Sequence, residues 1–124
     1  MNVTGERILI VDDDETIRQI ICICLSDEGY AVTEAANGQA AFAEIEVCPP
    51  SLILLDLRMP VMDGWEFARR YRAMPGPHAP ILVLVASVNA EQECDGLQSN
   101  GILSKPFDLD DLIAAVRTQL ALAN

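Results

Sequence analysis

The chain has 124 residues, 51% of them apolar, and a formal net charge of -11 at pH 7 from 19 acidic and 8 basic side chains. That length is most simply one domain with enough apolar material for a core, and the acidic balance argues against direct nucleic-acid binding, which needs Lys and Arg on phosphates. No apolar run reaches the length of a membrane span and Met1–Arg7 lacks the apolar stretch of a signal peptide, so the expectation is a cytoplasmic protein that binds cations or a basic partner surface.

The pattern alternates strand and helix five times. The apolar run Ile8-Leu9-Ile10-Val11 reads as a buried strand, and Asp14 then caps a helix in which Ile17, Ile20, Ile21, Cys24 and Leu25 recur at helical spacing up to Gly29. Tyr30 to Ala35 reads as a short strand, and Asn37-Gly38 turns into a helix stopped by Pro49-Pro50. Leu52 to Leu55 is the third strand, followed by a loop from Arg58 to Asp63 and a helix from Gly64 to Met74 that Pro75-Gly76-Pro77 closes. Ile81 to Val85 is the fourth strand. Residues 90–101 make a weak helix, with only Cys94 and Leu97 as anchors and Gly96 in the middle. Ile102-Leu103 reads as a fifth buried strand, and Leu109, Leu112, Ile113, Val116 and Leu120 stripe the last helix, with Asp108 as its cap. The four cysteines, Cys22, Cys24, Cys48 and Cys94, match no zinc spacing and read as small apolar residues in a reducing compartment. His78, between Pro77 and Ala79-Pro80, reads as a solvated loop residue.

Continuous apolar runs without polar alternation mean strands buried on both faces, as in parallel sheets. Five βα units of this length predict an α/β fold, a flavodoxin-like doubly wound (βα)5 sandwich with strand order 2-1-3-4-5. The expected domain is the whole chain, 1–124, with a core of about residues 6–122 and no output domain after the last helix. In such a sheet the carboxyl ends of the strands share one edge, where ligands bind. Asp12-Asp13 ends the first strand, Asp56 the third, and Lys105-Pro106 follows the fifth. Folding thus gathers three carboxylates and an ammonium, a cluster that repels itself unless a cation enters, and oxygen ligands suit magnesium.

The residues Ile8–Val11 with Asp12-Asp13, Leu54-Leu55-Asp56-Leu57-Arg58-Met59-Pro60, Met62-Asp63-Gly64 and Lys105-Pro106-Phe107 resemble the receiver domain of bacterial two-component response regulators, over essentially the whole chain. The resemblance implies that Asp56 accepts a phosphoryl group from a phosphohistidine on a sensor histidine kinase or phosphotransfer protein. It implies that Asp13 and Asp56 bind magnesium directly, Asp12 helps through water, and the main-chain carbonyl of Arg58 is a further ligand. Lys105 would pair with Asp56 at rest and with the phosphoryl oxygens afterwards. The product would be read by a downstream protein, and the chain would be a monomer or weak dimer rather than an enzyme in the usual sense. Chemically, an ordinary Asp pKa near ~3.9 leaves Asp56 ionised at neutral pH, and a cation plus Lys105 cancels the repulsion between it and an anionic phosphoryl group.

The pattern departs from the family after the fourth strand, where receivers carry Ser or Thr. A gap-free count from Pro80 puts Val85 or Ala86 near that position, and Ser87 fits only if the strand end slips; Ser87 is the residue expected to serve. Ile102 stands where the fifth strand often holds Tyr or Phe, so the aromatic switch is expected to be absent. Two rival functions remain, beside the possibility that the chain is a receiver cut from a larger hybrid kinase. One is a receiver-like interaction module that works without phosphorylation. The other is a small phosphatase of haloacid-dehalogenase type, which Asp12-Asp13-Asp14-Glu15-Thr16 also resembles, with Asp12 as nucleophile and Asp14 as general acid.

Overall fold

The computed structural model describes residues 5–85 and 100–123. The Ser/Thr position, Ala86 or Ser87, and the predicted fourth helix up to residue 99 lie outside the described residues. The elements in chain order are β1 (Arg7–Val11), α1 (Glu15–Asp27), β2 (Ala31–Ala35), α2 (Gly38–Val47), β3 (Leu52–Asp56), α3 (Gly64–Ala73), β4 (Ile81–Val85), β5 (Gly101–Ser104) and α4 (Leu109–Ala123). All four strand pairings are parallel, and the order is β2-β1-β3-β4-β5. This is the doubly wound, flavodoxin-like arrangement expected from the apolar runs. Among the described residues no helix is long and apolar enough to cross a membrane.

The unbroken runs divide by the strand's period of two. Leu9 and Val11, Ile53 and Leu55, and Ile81, Val83 and Val85 face one side, where they pack with Ala41 and Ile45 of α2 and with Phe67 and Tyr71 of α3. Ile8 and Ile10, Leu52 and Leu54, and Leu82 and Leu84 face the other, against Ile21 and Leu25 of α1 and Leu112, Val116 and Leu120 of α4. Each large apolar side chain so buried contributes roughly 1.5–3 kcal/mol over leaving it in water. Neither face tolerates polar residues, and for that reason the runs show no alternation.

The helix starts follow local chemistry. Asp14 accepts from the Thr16 and Ile17 N–H groups, Asn37 from Ala40 and Asp63 from Glu66, so each occupies a side-chain N-cap. Gly29 takes φ 97° just past α1, where the Gly29 N–H donates to Ser26 and that of Tyr30 to Leu25, a left-handed exit that glycine favours.

Two expectations need correction. β5 is an edge strand, not a buried one: Ile102 is 38% exposed while Leu103 packs on the α1/α4 core. With one neighbouring strand, its exposure alternates along the chain. His78 is not simply solvated. It is half-buried, its Nε2 lies 2.7 Å from the Met74 carbonyl, and its ring stands edge-on to Tyr71 at 5.1 Å.

Cys22, Cys24 and Cys48 are all unpaired and half-buried. Burial, followed by the Glu28, Asp27 and Asp110 charges, pushes the Cys24 thiol above its ordinary range, which makes it a poor nucleophile.

Candidate functional site at the carboxyl edge of the sheet

β1 and β3 are direct neighbours, with Val11 opposite Leu55, so the residues that end them, Asp12 and Asp56, emerge side by side. Lys105 follows β5, two strands from β3, and its main-chain N–H donates to the Val85 carbonyl. Only a long side chain spans that distance. Its Nζ lies 3.3 Å from Asp12 Oδ2, where it donates a hydrogen bond, and 3.7 Å from Asp56 Oδ1. Lys105 therefore pairs with both carboxylates, with the shorter contact to Asp12, rather than with Asp56 alone. The Lys105–Pro106 peptide is cis.

The three acids sit in different surroundings. Asp12 is completely buried, and both its oxygens are engaged: Oδ1 accepts from the Asp14 N–H at 2.9 Å and Oδ2 from Lys105. Asp13 is exposed at the rim. Asp56 is buried to 9% exposure at the floor. One carboxylate oxygen from each of the three lies within 4.8 Å of the others. An all-oxygen set of this charge fits a hard divalent cation such as magnesium, with waters completing the shell.

The electrostatics of Asp56 depart from the sequence expectation of an ordinary carboxylate. Burial, with the Asp12 charge next, pushes it up to about 6, while Lys105 and the Arg58 N–H hold it back and Asp13 raises it further. A carboxylate placed among two others in a partly closed pocket binds its proton more tightly.

The loop leaving Asp56 is held closely. The Arg58 guanidinium sits over the Trp65 ring at 5.7 Å from its centroid, and Trp65 packs against the α2/α3 core. The Gly64 N–H donates to the Leu57 carbonyl at 2.8 Å. A Cβ at Gly64 would meet the Asp56 carbonyl oxygen and Leu57 Cα at 2.7 Å. Both obstacles are backbone, so glycine is needed for close approach rather than only to start α3. Gly64→Ala is expected to lower stability by about 2 kcal/mol, in the range for overpacking, as a fall in the urea midpoint at unchanged m-value. An unchanged midpoint would show that the loop yields freely.

Ser87 and its alternative Ala86 lie outside the described residues. Asp63 caps α3 and faces no acid of the pocket among its described contacts. Sequence reasoning missed Arg18, whose Nη1 donates to the Asp12 carbonyl at 2.8 Å and whose Nε pairs with Glu34 at 3.2 Å, tying the β1 exit to β2. The available signal was that Arg18 is the only basic residue of α1, one turn past the acidic cluster.

Comparison with known proteins agrees with this geometry. Residues 8–117 match the model of the response regulator receiver domain. The response regulator MprA of Mycolicibacterium vanbaalenii is 39% identical over 116 residues, 92% of this chain and 50% of that protein, so the chain spans about half the length of the curated relatives it matches. A putative response regulator from Chloroflexus aurantiacus superposes with a TM-score of 0.86 at 33% identity, over 94% of this chain and 98% of that one. The chemotaxis response regulator CheY4 of Vibrio cholerae superposes with a TM-score of 0.85 at 34% identity, over 92% and 98% of the two chains. Fold, pocket and sequence agree, and the chain belongs to the response regulator receiver domain family.

Proposed function

We propose that this receiver, a signalling domain of the two-component type, is a phosphoacceptor switch in which Asp56 takes a phosphoryl group from a histidine kinase or phosphotransfer protein and a partner protein reads the change. The observation that carries the reading is the placement of Asp56 beside Lys105 Nζ, 3.7 Å away, and within one oxygen cluster with Asp12 and Asp13. An Asp56 oxygen attacks phosphorus as the P–N bond breaks, and the imidazole leaves with that bond's electron pair, neutral when its other nitrogen carries a proton. Lys105 meets the charge on the equatorial oxygens. Magnesium, when bound, neutralises the carboxylates and the phosphoryl oxygens. Asp13, Asp56 and the Arg58 carbonyl would hold it, with Asp12 acting through water because both its oxygens are already engaged. Hydrolysis of the acyl phosphate returns Asp56 to its resting state.

The same contacts weigh against the phosphatase reading. Asp12 is fully buried, and Asp14, the general acid of that reading, accepts from Thr16 and Ile17 as the cap of α1. Intact mass after incubation with magnesium and acetyl phosphate tests the proposal. One phosphoryl adduct, absent in Asp56→Asn and present in Asp12→Asn, is expected. An adduct lost only with Asp12 would establish the phosphatase nucleophile, and a folded, magnesium-binding chain that no donor phosphorylates would favour the phosphorylation-independent module.

The route of a protein donor is suggested by an apolar groove that shares Lys105 with the pocket and is lined by Ile17, Ile20, Ile21, Phe107 and Leu109. Ile20 is 48% exposed and Leu109 43%. A donor seated there would lie beside Lys105, whose Nζ is 3.7 Å from Asp56 Oδ1. Ile20→Asp is expected to slow transfer from a phosphohistidine protein about tenfold, the effect of losing roughly 1.4 kcal/mol of contact, and to leave phosphorylation by acetyl phosphate unchanged. Equal slowing with both donors would remove the groove from the docking surface.

A further inference from the structure

We infer that Gly38, the first residue of α2, is a positioning residue for the phosphoacceptor loop: it provides the seat for Met62 and through it holds the Arg58–Asp63 segment in the shape that magnesium binding needs. The inference rests on the proposed metal-assisted reaction, because Arg58 carries the proposed carbonyl ligand.

The first observation is steric. Met62 is 5% exposed, and a Cβ on Gly38 would lie 2.7 Å from Met62 Sδ and 3.1 Å from its Cβ and Cγ. Sδ can turn aside, but Cβ and Cγ at 3.1 Å must also give way by a few tenths of an ångström, and Cβ moves only with the backbone of the loop. Gly38 does not have a positive φ. Its backbone therefore does not require glycine, and alanine is the better helix former. Lack of space is the physical reason for glycine at this position.

The second observation is independent. Val61, next to Met62, has φ 70°, although it is β-branched and 74% exposed, and the Met62 N–H donates to the Pro60 carbonyl at 2.7 Å. A left-handed β-branched residue is a genuine outlier, and such strain persists only where the surroundings over-determine it. Val61 has little burial of its own to hold it. The buried neighbours on either side, Met59 at 9% exposure and Met62 on Gly38, supply the constraint. The N-terminus of α2 is in turn fixed by the Asn37 cap, whose Oδ1 accepts from the Ala40 N–H at 2.8 Å. A chain of contacts thus runs from α2 through Met62 and the strained turn to the loop that leaves Asp56.

The test compares wild type, Gly38→Ala, Met62→Ala and the double variant in the full chain. Magnesium chloride affinity is measured by calorimetry, phosphorylation rate with acetyl phosphate at subsaturating magnesium, and cooperative unfolding without metal. Gly38→Ala is expected to weaken magnesium binding about tenfold, the scale of supporting contacts around a metal site, and to slow phosphorylation in proportion, while unfolding stays cooperative. Adding Met62→Ala to Gly38→Ala restores the space, so the double variant is expected within about twofold of Met62→Ala alone, a non-additive cycle. Wild-type affinity in Gly38→Ala, or losses that multiply in the double variant, would overturn the inference and leave the phosphoacceptor reading standing. If Gly38→Ala fails to fold and the double variant folds, the Met62 contact is established as the obstacle. If neither folds, alanine meets something else and the inference falls. A wild-type chain that binds no magnesium and takes no phosphoryl group would remove the reading and the inference together.

Discussion

Replacing Asp56, the proposed phosphoacceptor, is expected to stabilise the fold. In metal-free buffer at pH 7.5, Asp56→Asn should unfold at higher urea than wild type, by up to about 3 kcal/mol for a rise from an ordinary carboxylate to about 6. The sign follows from proton linkage. Between the unfolded-state value near ~3.9 and the folded value, the native state holds a proton that the unfolded state releases, so stability falls as pH rises through that window. The penalty is absent below about pH 4 and complete above about pH 6 to 7. The gap between Asp56→Asn and wild type should therefore close on acidification to pH 4 and narrow when magnesium is added to wild type, because a bound cation removes the repulsion that raised the value. The check is a set of urea midpoints at pH 7.5, 6 and 4, with EDTA and with magnesium chloride. A gap of the same size at pH 4 would place its origin in packing rather than charge. A gap that closes at pH 4 would make Asp56 both the destabilising element of the resting pocket and its proposed functional group, with a bound cation relieving the charge.

Lys105→Met is expected to slow the proposed phosphoryl transfer more than any other change that leaves Asp56 in place. The side chain keeps its length but loses the one ammonium that contacts both Asp12 and Asp56. Removing one preorganised charge stabiliser lowers the rate by about 100-fold or more, so phosphorylation by acetyl phosphate at saturating magnesium should slow by about two decades. Stability should fall as well. Asp12 has no exposure, and deleting a partner of a buried charge leaves that charge uncompensated. A loss of about 3 kcal/mol in EDTA is expected, largely recovered in magnesium, because the cation takes over the neutralisation. Time courses of the intact-mass adduct and paired urea curves measure both. A variant that keeps its rate would show that Lys105 serves the fold alone. Lys105→Arg is expected to preserve most of the stability and little of the rate, since a planar fork does not place its charge where a point ammonium does.

Much of this fold can be read in the chain because both faces of its sheet are dry. Ile8–Val11, Leu52–Leu55 and Ile81–Val85 have no polar residue to interrupt them, and each is a strand with alternate side chains in two separate cores. The starts of the first three helices were legible for a local reason: Asp14, read as a cap, and Asn37 and Asp63, read as turns into helices, satisfy N–H groups two or three residues ahead, and no distant contact is needed. β5 was misread because a short apolar pair looks the same at an edge as in the centre, and only pairing decides which. His78 was misread because the Tyr71 ring that shelters it belongs to α3.

The site divides along the same line. Which residues would meet at the sheet edge was determined by the chain alone, since strand ends are local features and parallel order brings those ends together. Asp12, Asp13, Asp56 and Lys105 were all identifiable on that basis. Their individual conditions were decided by the tertiary structure. Asp12 is sealed and doubly hydrogen-bonded while Asp13 is open, although the two are adjacent in sequence. Lys105 lies nearer Asp12 than Asp56, and burial raises Asp56 to about 6. Gly64 and Gly38 are glycines because of what approaches them from Leu57 and Met62. Residue type and spacing specify which groups are available, whereas charge state, contact partner and free space depend on atoms brought in from distant parts of the chain, and these exist only once the sheet and its helices have packed.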